Sequence, residues 1–259
     1  MKEVVSIVKI GGNVIEDDHA LDQFLNSFSK LKGPKVLIHG GGKLATKLAT
    51  RLGIPSNMVD GRRITDKETV DVITMVYAGL ANKKIVAQLQ SKGINALGMS
   101  GADGNSIQAH KRPVKEIDYG FVGDIDGINS KMIANLLGTG ITPVFCAISH
   151  DGKGQLLNTN ADTIAAEISI AMASYYEVIL YYCFEKKGVL MHIEDENSVI
   201  EHINTTTYKE LLDKGIIADG MLPKLHNCFH ALEHNVAKVC LGDVGMLQKN
   251  AELFTTITL

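Results

Sequence analysis

Val4-Val5-Ser6-Ile7-Val8-Lys9-Ile10-Gly11-Gly12 is an apolar run that ends in a lysine and two glycines. Branched and small residues in this density suit a packed strand. The glycines let backbone N–H groups come close to a ligand, and N–H groups turned the same way form an anion-binding concavity. Lys9 stands where a buried strand ends, and an ammonium there is costly unless something anionic pairs with it. The theme repeats at Val36-Leu37-Ile38-His39-Gly40-Gly41-Gly42. Two such strands read either as tight strand-to-helix turns or as the two sides of a phosphate or carboxylate site. Neither run is G-x-x-x-x-G-K-[ST], since Lys43 is followed by Leu44, and neither is G-x-G-x-x-G.

Outward from these runs, apolar strands alternate with helical patterns, the signature of a parallel sheet covered by helices on its faces. The expected strands are Val4–Lys9, Lys35–His39, Asn95–Met99, Thr142–Ile148, Val178–Tyr182 and Ala237–Leu241, with a short hairpin strand in Gly120–Ile125. The expected helices are Asp17–Ser29, Gly42–Leu52, Asp66–Ser91, Ser130–Leu137, Ala161–Ala173, Thr207–Lys214 and Pro223–Glu233. The longest opens on Thr65-x-x-Glu68, which reads as a capping box. A boundary between two lobes falls near Asp151–Gln155, between Gly152 and Gly154.

The 259 residues are 45% hydrophobic and 21% charged with a net charge of −3, so bulk charge implies no nucleic-acid partner and an anion site must be local. No apolar stretch is long enough to span a membrane, and Lys2-Glu3 before the first strand is no signal peptide. Cys146, Cys183, Cys228 and Cys240 lack C-x-x-C spacing and read as buried free thiols of a cytoplasmic protein. No N-terminal extension is expected ahead of the first strand.

Single residues carry further chemistry. Asn160 can cap a helix starting at Ala161, which puts Asp162 in its first turn, either as a helix-dipole partner or as a functional carboxylate. Pro223 suits the first position of a helix, so Lys224 sits near an N-terminus that disfavours it, either solvated or tasked. Arg62 and Arg63 are either a solvent-facing pair or forks for a carboxylate. His226, His230 and His234 have metal-ligand spacing with no acidic residue in sequence to complete it, and the same helix is explained as amphipathic. His39 either orients the glycine loop or is a satisfied near-core histidine.

In order and spacing, these segments resemble the amino acid kinase family almost end to end. The likeness runs through Lys9-Ile10-Gly11-Gly12-Asn13, His39-Gly40-Gly41-Gly42, Gly61-Arg62-Arg63-Ile64-Thr65, Ala81-Asn82-Lys83, Ser100-Gly101-Ala102-Asp103-Gly104, Phe121-Val122-Gly123, Asn158-Thr159-Asn160-Ala161-Asp162 and Asp219-Gly220-Met221-x-x-Lys224. The resemblance implies a single α/β domain over residues 1–259, a three-layer α/β/α sandwich with a mainly parallel central sheet. A lobe of about 1–152 would hold an N-acyl-L-glutamate and form a homodimer through the 66–91 helix, and a lobe of about 153–259 would hold ATP with Mg2+. The implied reaction is phosphorylation of the γ-carboxylate of N-acetyl-L-glutamate in arginine biosynthesis.

By resemblance Lys9 and Lys224 would be the catalytic lysines and Asp162 the carboxylate that holds them. Gly41, Gly42, Arg63 and Asn158 would bind the acyl-glutamate. Gly11, Gly12, Glu185, Gly188, Val189, Leu190, Ile216, Ile217 and Ala218 would bind the nucleotide. The glycines at 11, 12, 41 and 42 would offer N–H groups to phosphoryl and carboxylate oxygens, and no protein metal cage is expected. Two departures stand out. Cys183-Phe184-Glu185-Lys186-Lys187 replaces the family's Asp-Val-x-Gly turn, so the family Asp aligns with Cys183 or Glu185. Arg62 stands where Leu is common, which raises N-succinyl-L-glutamate as a second substrate. The start at the first strand implies a dimer insensitive to arginine, and the altered loop keeps open a non-catalytic sensor on the same fold.

Overall fold

In the computed structural model the described residues are 2–59, 62–217, 221–248, 251 and 253–259. The strand Val4–Ile10 is buried along most of its length, so both of its edges need partners. It lies parallel to Glu177–Cys183 on one side and to Lys35–His39 on the other. The sheet extends to eight strands in the spatial order His202–Ile203, Thr255–Ile257, Lys238–Gly242, Glu177–Cys183, Val4–Ile10, Lys35–His39, Thr142–Cys146 and Ala96–Met99. All pairings are parallel except that between Lys238–Gly242 and Thr255–Ile257.

Side chains that alternate across the pleat enter two separate cores. Val5, Ile7, Val36, Ile38, Phe145 and Leu180 belong to one, which the helices Gly42–Arg51, Ala161–Met172 and Met221–Glu233 cover. Val8, Ile10, Leu37 and Val144 belong to the other, beneath Asp18–Ser29 and Asn82–Ser91. This is the expected α/β/α sandwich. Lys9 shares its phase with Val5 and Ile7, so it leaves the strand toward the face where Ala161–Met172 and Met221–Glu233 lie.

The long expected helix is there but not uniform. It runs as Lys67–Thr74, then a π-helical stretch Met75–Ala81, then Asn82–Ser91. Its first part packs in one core and its last part in the other. Asp66, not Thr65, caps it, accepting from the Thr69 N–H at 2.8 Å. Thr65 is buried and bridges to Gly120 as strand. The helix expected from Pro223 already begins by Met221, leaving Pro223 in a first turn whose N–H groups lack helical partners anyway.

A second, four-stranded sheet escaped the sequence reading except for the short strand expected in Gly120–Ile125, which falls in part on Gly123–Ile128. It orders Leu156–Asn158, Ile148–His150, Ile107–Lys111 and Gly123–Ile128. The expected strand Thr142–Ile148 breaks at Ala147, and its end joins this sheet. The boundary expected at Asp151–Gln155 is the hairpin turn between Ile148–His150 and Leu156–Asn158. Strands of three to six residues, half exposed, carry too few alternations to stand out. No helix among the described residues is long and apolar enough to cross a membrane.

The glycine loop after Lys35–His39 is fixed from below. His39 is fully buried, and its Nδ1–H donates to the Gly40 carbonyl at 2.8 Å. Its Nε2 accepts from the Asn82 amide at 3.0 Å, and that amide also donates to the Val144 carbonyl at 2.9 Å. His39 is therefore both a satisfied core histidine and the anchor of the loop. Burial pushes its pKa down to about 4, opposed by its bond to Gly40. Asn82 fits only because Gly98 lies opposite, where a Cβ would sit 1.9 Å from Asn82 Oδ1.

Two outcomes are expected. Gly98→Ala displaces Asn82 and costs about 3 kcal/mol, lowering Tm by roughly 6–10 °C, while Gly127→Ala, with open space around it, stays within about 0.5 kcal/mol. Thermal melts of both variants check this. His39 must fold neutral, so the unfolded chain binds more protons between pH 6.5 and about 4. Stability falls as pH drops through that window, by about 3 kcal/mol from this group. In melts from pH 7 to pH 4, His39→Asn should lose less Tm than the parent.

Candidate active site

Lys9, Asp162 and Lys224 come from three elements and meet at one point. Lys9 is the last residue but one of the first strand. Asp162 stands in the first turn of Ala161–Met172, where the Asn160 side chain accepts from the Asp162 and Thr163 N–H groups at 2.7 and 3.2 Å. Lys224 comes from the first turns of Met221–Glu233, which packs beside it. Lys9 Nζ lies 2.8 Å from Asp162 Oδ1 as an ion pair, and Lys224 Nζ donates to Oδ2 at 2.8 Å. The three side chains keep only 14–18% of their surface exposed. Lys224 Nζ also lies 5.2 Å from the centre of the Tyr182 ring and 5.9 Å from that of Phe184, distances at which an ammonium is attracted to a π face.

The electrostatics are those of one anion serving two cations. Burial raises the Asp162 carboxyl, but the charges of Lys9 and Lys224 outweigh it and hold the group well below the usual carboxylate range. Burial is also the largest influence on Lys9 and lowers its pKa; Asp162 opposes this and Lys224 adds to it. A net positive, largely buried cluster is a poor stabiliser, since well-packed apolar residues often do better there. It is well suited to receive additional negative charge.

Two clefts flank this cluster. One, of about 220 Å³, is lined by Gly40, Gly41, Gly42, Arg62, Arg63, Tyr77, Val122, Asn158, Asn160 and Ala161, the last adjoining Asp162. Gly41 holds a positive φ of 152°, and a Cβ on it would meet the Tyr77 ring at 2.9 Å. Gly41 and Gly42 stand at the start of a helix, where N–H groups have no intrahelical partner. Arg63 is buried, and its guanidinium donates to Ser56 Oγ, the Gly42 carbonyl and Thr46 Oγ1 at 2.7–3.0 Å. Arg62 is exposed at the same cleft. Asn158 donates from its side chain to Thr65 Oγ1 at 3.0 Å.

The other cleft, of about 710 Å³, is lined by Phe184, Lys186, Gly188, Val189, Leu190, Met191, Ile216 and Met221. Phe184 ties it to Lys224. Of the residues expected to bind nucleotide, Gly188, Val189, Leu190 and Ile216 line this cleft. Ile217 is buried beside it. Glu185 is exposed and is not in the lining; its neighbours Phe184 and Lys186 are, because a loop that reverses after a strand turns alternate side chains outward. Ala218, like Gly61, Asp219 and Gly220, lies outside the described residues. The Gly11 N–H, expected to face a ligand, is given to the Cys183 carbonyl at 2.9 Å. Gly12 begins the short helix Gly12–Glu16.

Other candidates lie apart. His230 meets Glu167 of the neighbouring helix at 3.1 Å, an acidic partner that sequence spacing did not reveal, and His234 bonds back to the His230 carbonyl. Among the described residues no three His, Cys, Asp or Glu side chains are placed to hold a metal ion. All four cysteines are free and buried, and burial pushes the Cys146 thiol up to about 12.

This geometry has relatives. A model of the amino acid kinase family matches residues 5–243. The acetylglutamate kinase of Phocaeicola vulgatus is 54% identical over 241 residues, 93% of this chain and 94% of the relative. That of Methanopyrus kandleri is 36% identical over 249 residues, 94% and 97% of the two chains. In fold alone, the chain is similar to a crystal structure of N-acetylglutamate synthase from Neisseria gonorrhoeae complexed with coenzyme A and N-acetyl-glutamate. The TM-score is 0.81 at 19% identity, covering 100% of this chain and 59% of that one. The chain belongs to the amino acid kinase family.

Proposed function

We propose that the protein transfers the γ-phosphoryl group of ATP to the γ-carboxylate of N-acetyl-L-glutamate, in the cytoplasm, as a step toward arginine. The observation that carries this is Asp162 holding two ammonium groups at the junction of two clefts. The names of the relatives support the substrate.

In this reading the smaller cleft takes the acyl-glutamate. Asn158 and the Arg63 charge hold its α-carboxylate, and the Gly41 and Gly42 N–H groups face its γ-carboxylate. The larger cleft takes ATP, with Val189, Leu190 and Ile216 around the base and the Gly12 end toward the phosphates. Magnesium, when bound, would come with those phosphates and screen their charge. A carboxylate is already ionised at neutral pH, so the reaction needs no general base. A γ-carboxylate oxygen forms the new bond to phosphorus, the bond to the β-phosphate oxygen breaks, and ADP leaves. Lys9 and Lys224 meet the charge that spreads over the moving phosphoryl oxygens, from positions Asp162 has fixed in advance.

A second substrate reading is N-succinyl-L-glutamate, favoured by the exposed Arg62 guanidinium at the acyl-glutamate cleft. The protein is further read as a homodimer through the 66–91 helix, where Met75 and Leu80 are exposed.

The reading predicts ADP release that depends on acyl-glutamate. Lys9→Ala and Lys224→Ala each lower kcat about 100-fold or more. Lys9 must be charged to act, and its pKa is lowered in the free protein, chiefly by burial, so kcat/KM falls on the alkaline side with a midpoint below that of an ordinary lysine. Absence of turnover in the parent protein would sink the reading, and a tenfold preference in kcat/KM for the succinyl compound would reverse the substrate order. Light scattering should give twice the 28.0 kDa chain mass, and Leu80→Asp should shift it to the monomer.

A further inference from the structure

The acyl-glutamate cleft has a third arginine, Arg112, which the motifs of the sequence did not single out. Its backbone N–H donates to the Val122 carbonyl at 2.8 Å, and Val122 bridges in turn to Asn158. Arg112, Val122 and Asn158 thus follow one another across the edge of the small sheet, all three lining the cleft. The Arg112 side chain is built into place. Nε and Nη2 grip the Asp124 carboxylate at 2.6–3.2 Å, and Cζ lies 5.6 Å from the centre of the Tyr119 ring.

Arg63 and Arg112 differ in what they have left to give. Arg63 spends both Nη2 hydrogens on Gly42 and Thr46 and one Nη1 hydrogen on Ser56. Neither of its two forks is complete. Arg112 meets Asp124 side-on, through Nε and Nη2, and this leaves the end-on fork of Nη1 and the outer Nη2 hydrogen without an acceptor among the described residues. A paired fork is the shape that matches the two oxygens of a carboxylate.

We propose that Arg112 is a specificity-determining residue whose end-on fork grips a carboxylate of the N-acyl-L-glutamate. Asp124 and Tyr119 are its positioning residues. Two carboxylates have the required chemistry: the α-carboxylate, shared with Asn158, or a carboxylate at the far end of a dicarboxylic acyl group. The proposal rests on the acyl-glutamate reading, and the test separates the two.

The test measures kcat and KM for N-acetyl-L-glutamate and for N-succinyl-L-glutamate, with ATP and magnesium saturating, in the parent, Arg112→Gln and Arg112→Lys. Arg112→Gln should raise KM about tenfold or more, the loss of a charged hydrogen bond, with kcat within about threefold and KM for ATP unchanged. A rise on both substrates assigns the α-carboxylate, and a rise on the succinyl compound alone assigns the acyl carboxylate. Arg112→Lys keeps the charge without the fork and should recover only part of the loss. It also decides the matter should Arg112→Gln melt early. KM values within about twofold of the parent for both substrates overturn the proposal while leaving the kinase reading intact. No turnover of either substrate by the parent overturns both.

Discussion

One carboxylate holds two ammonium groups, and the rest of the site depends on it. Without Asp162, Lys9 and Lys224 would be two largely buried like charges with no protein counter-ion, an arrangement that costs about 3–5 kcal/mol. With it, the cluster still carries one excess positive charge. Stability alone would be served better by apolar side chains, so the arrangement makes sense only where negative charge arrives. Each partner is held by a different device. Lys9 is held by strand phase, Asp162 by the Asn160 cap, and Lys224 by the packing of its helix on Ala161–Met172.

The fold supplies those devices economically. Because alternate residues of Val4–Ile10 enter opposite cores, placing Val5 and Ile7 in one core places Lys9 under the two helices that bear its partners. Loops after neighbouring parallel strands emerge at the same end of the sheet, so the glycine turns at 11–12 and 40–42 come together there. The His39–Asn82 bond then links the second turn to the long helix, which itself passes from one core to the other through a π-helical stretch. Such a stretch is common at functional sites, and here it carries Tyr77 against Gly41.

Six of the main sheet's eight strands and its helices were legible because their patterns are long: four to seven mostly apolar residues for strands, about two and a half turns or more for helices. His202–Ile203 and Thr255–Ile257, two and three residues long, were not expected. Lys9, Asp162 and Lys224 each stand out near an element boundary where their charge is conspicuous, but that the three act together came only from the family resemblance. What escaped is short or non-local. The small sheet is made of brief half-exposed strands. Thr65 offered a capping pattern, but its backbone was claimed by Gly120. Glu185 was chosen by alignment of a departed loop, while turn geometry put Phe184 and Lys186 at the cleft. Arg112 carries no motif, and its meaning comes only from Asp124 and Val122, twelve and ten residues away in sequence.

The central claim is that Lys9 and Lys224 act on the charge of the phosphoryl group in transit rather than on bound ATP. It is tested most directly by the affinity for ADP with aluminium fluoride and N-acetyl-L-glutamate, a mimic of that state, beside the affinity for ADP alone. The account predicts that Lys224→Ala weakens the mimic about 100-fold or more while ADP binding stays within about threefold. Equal weakening of the two would contradict it.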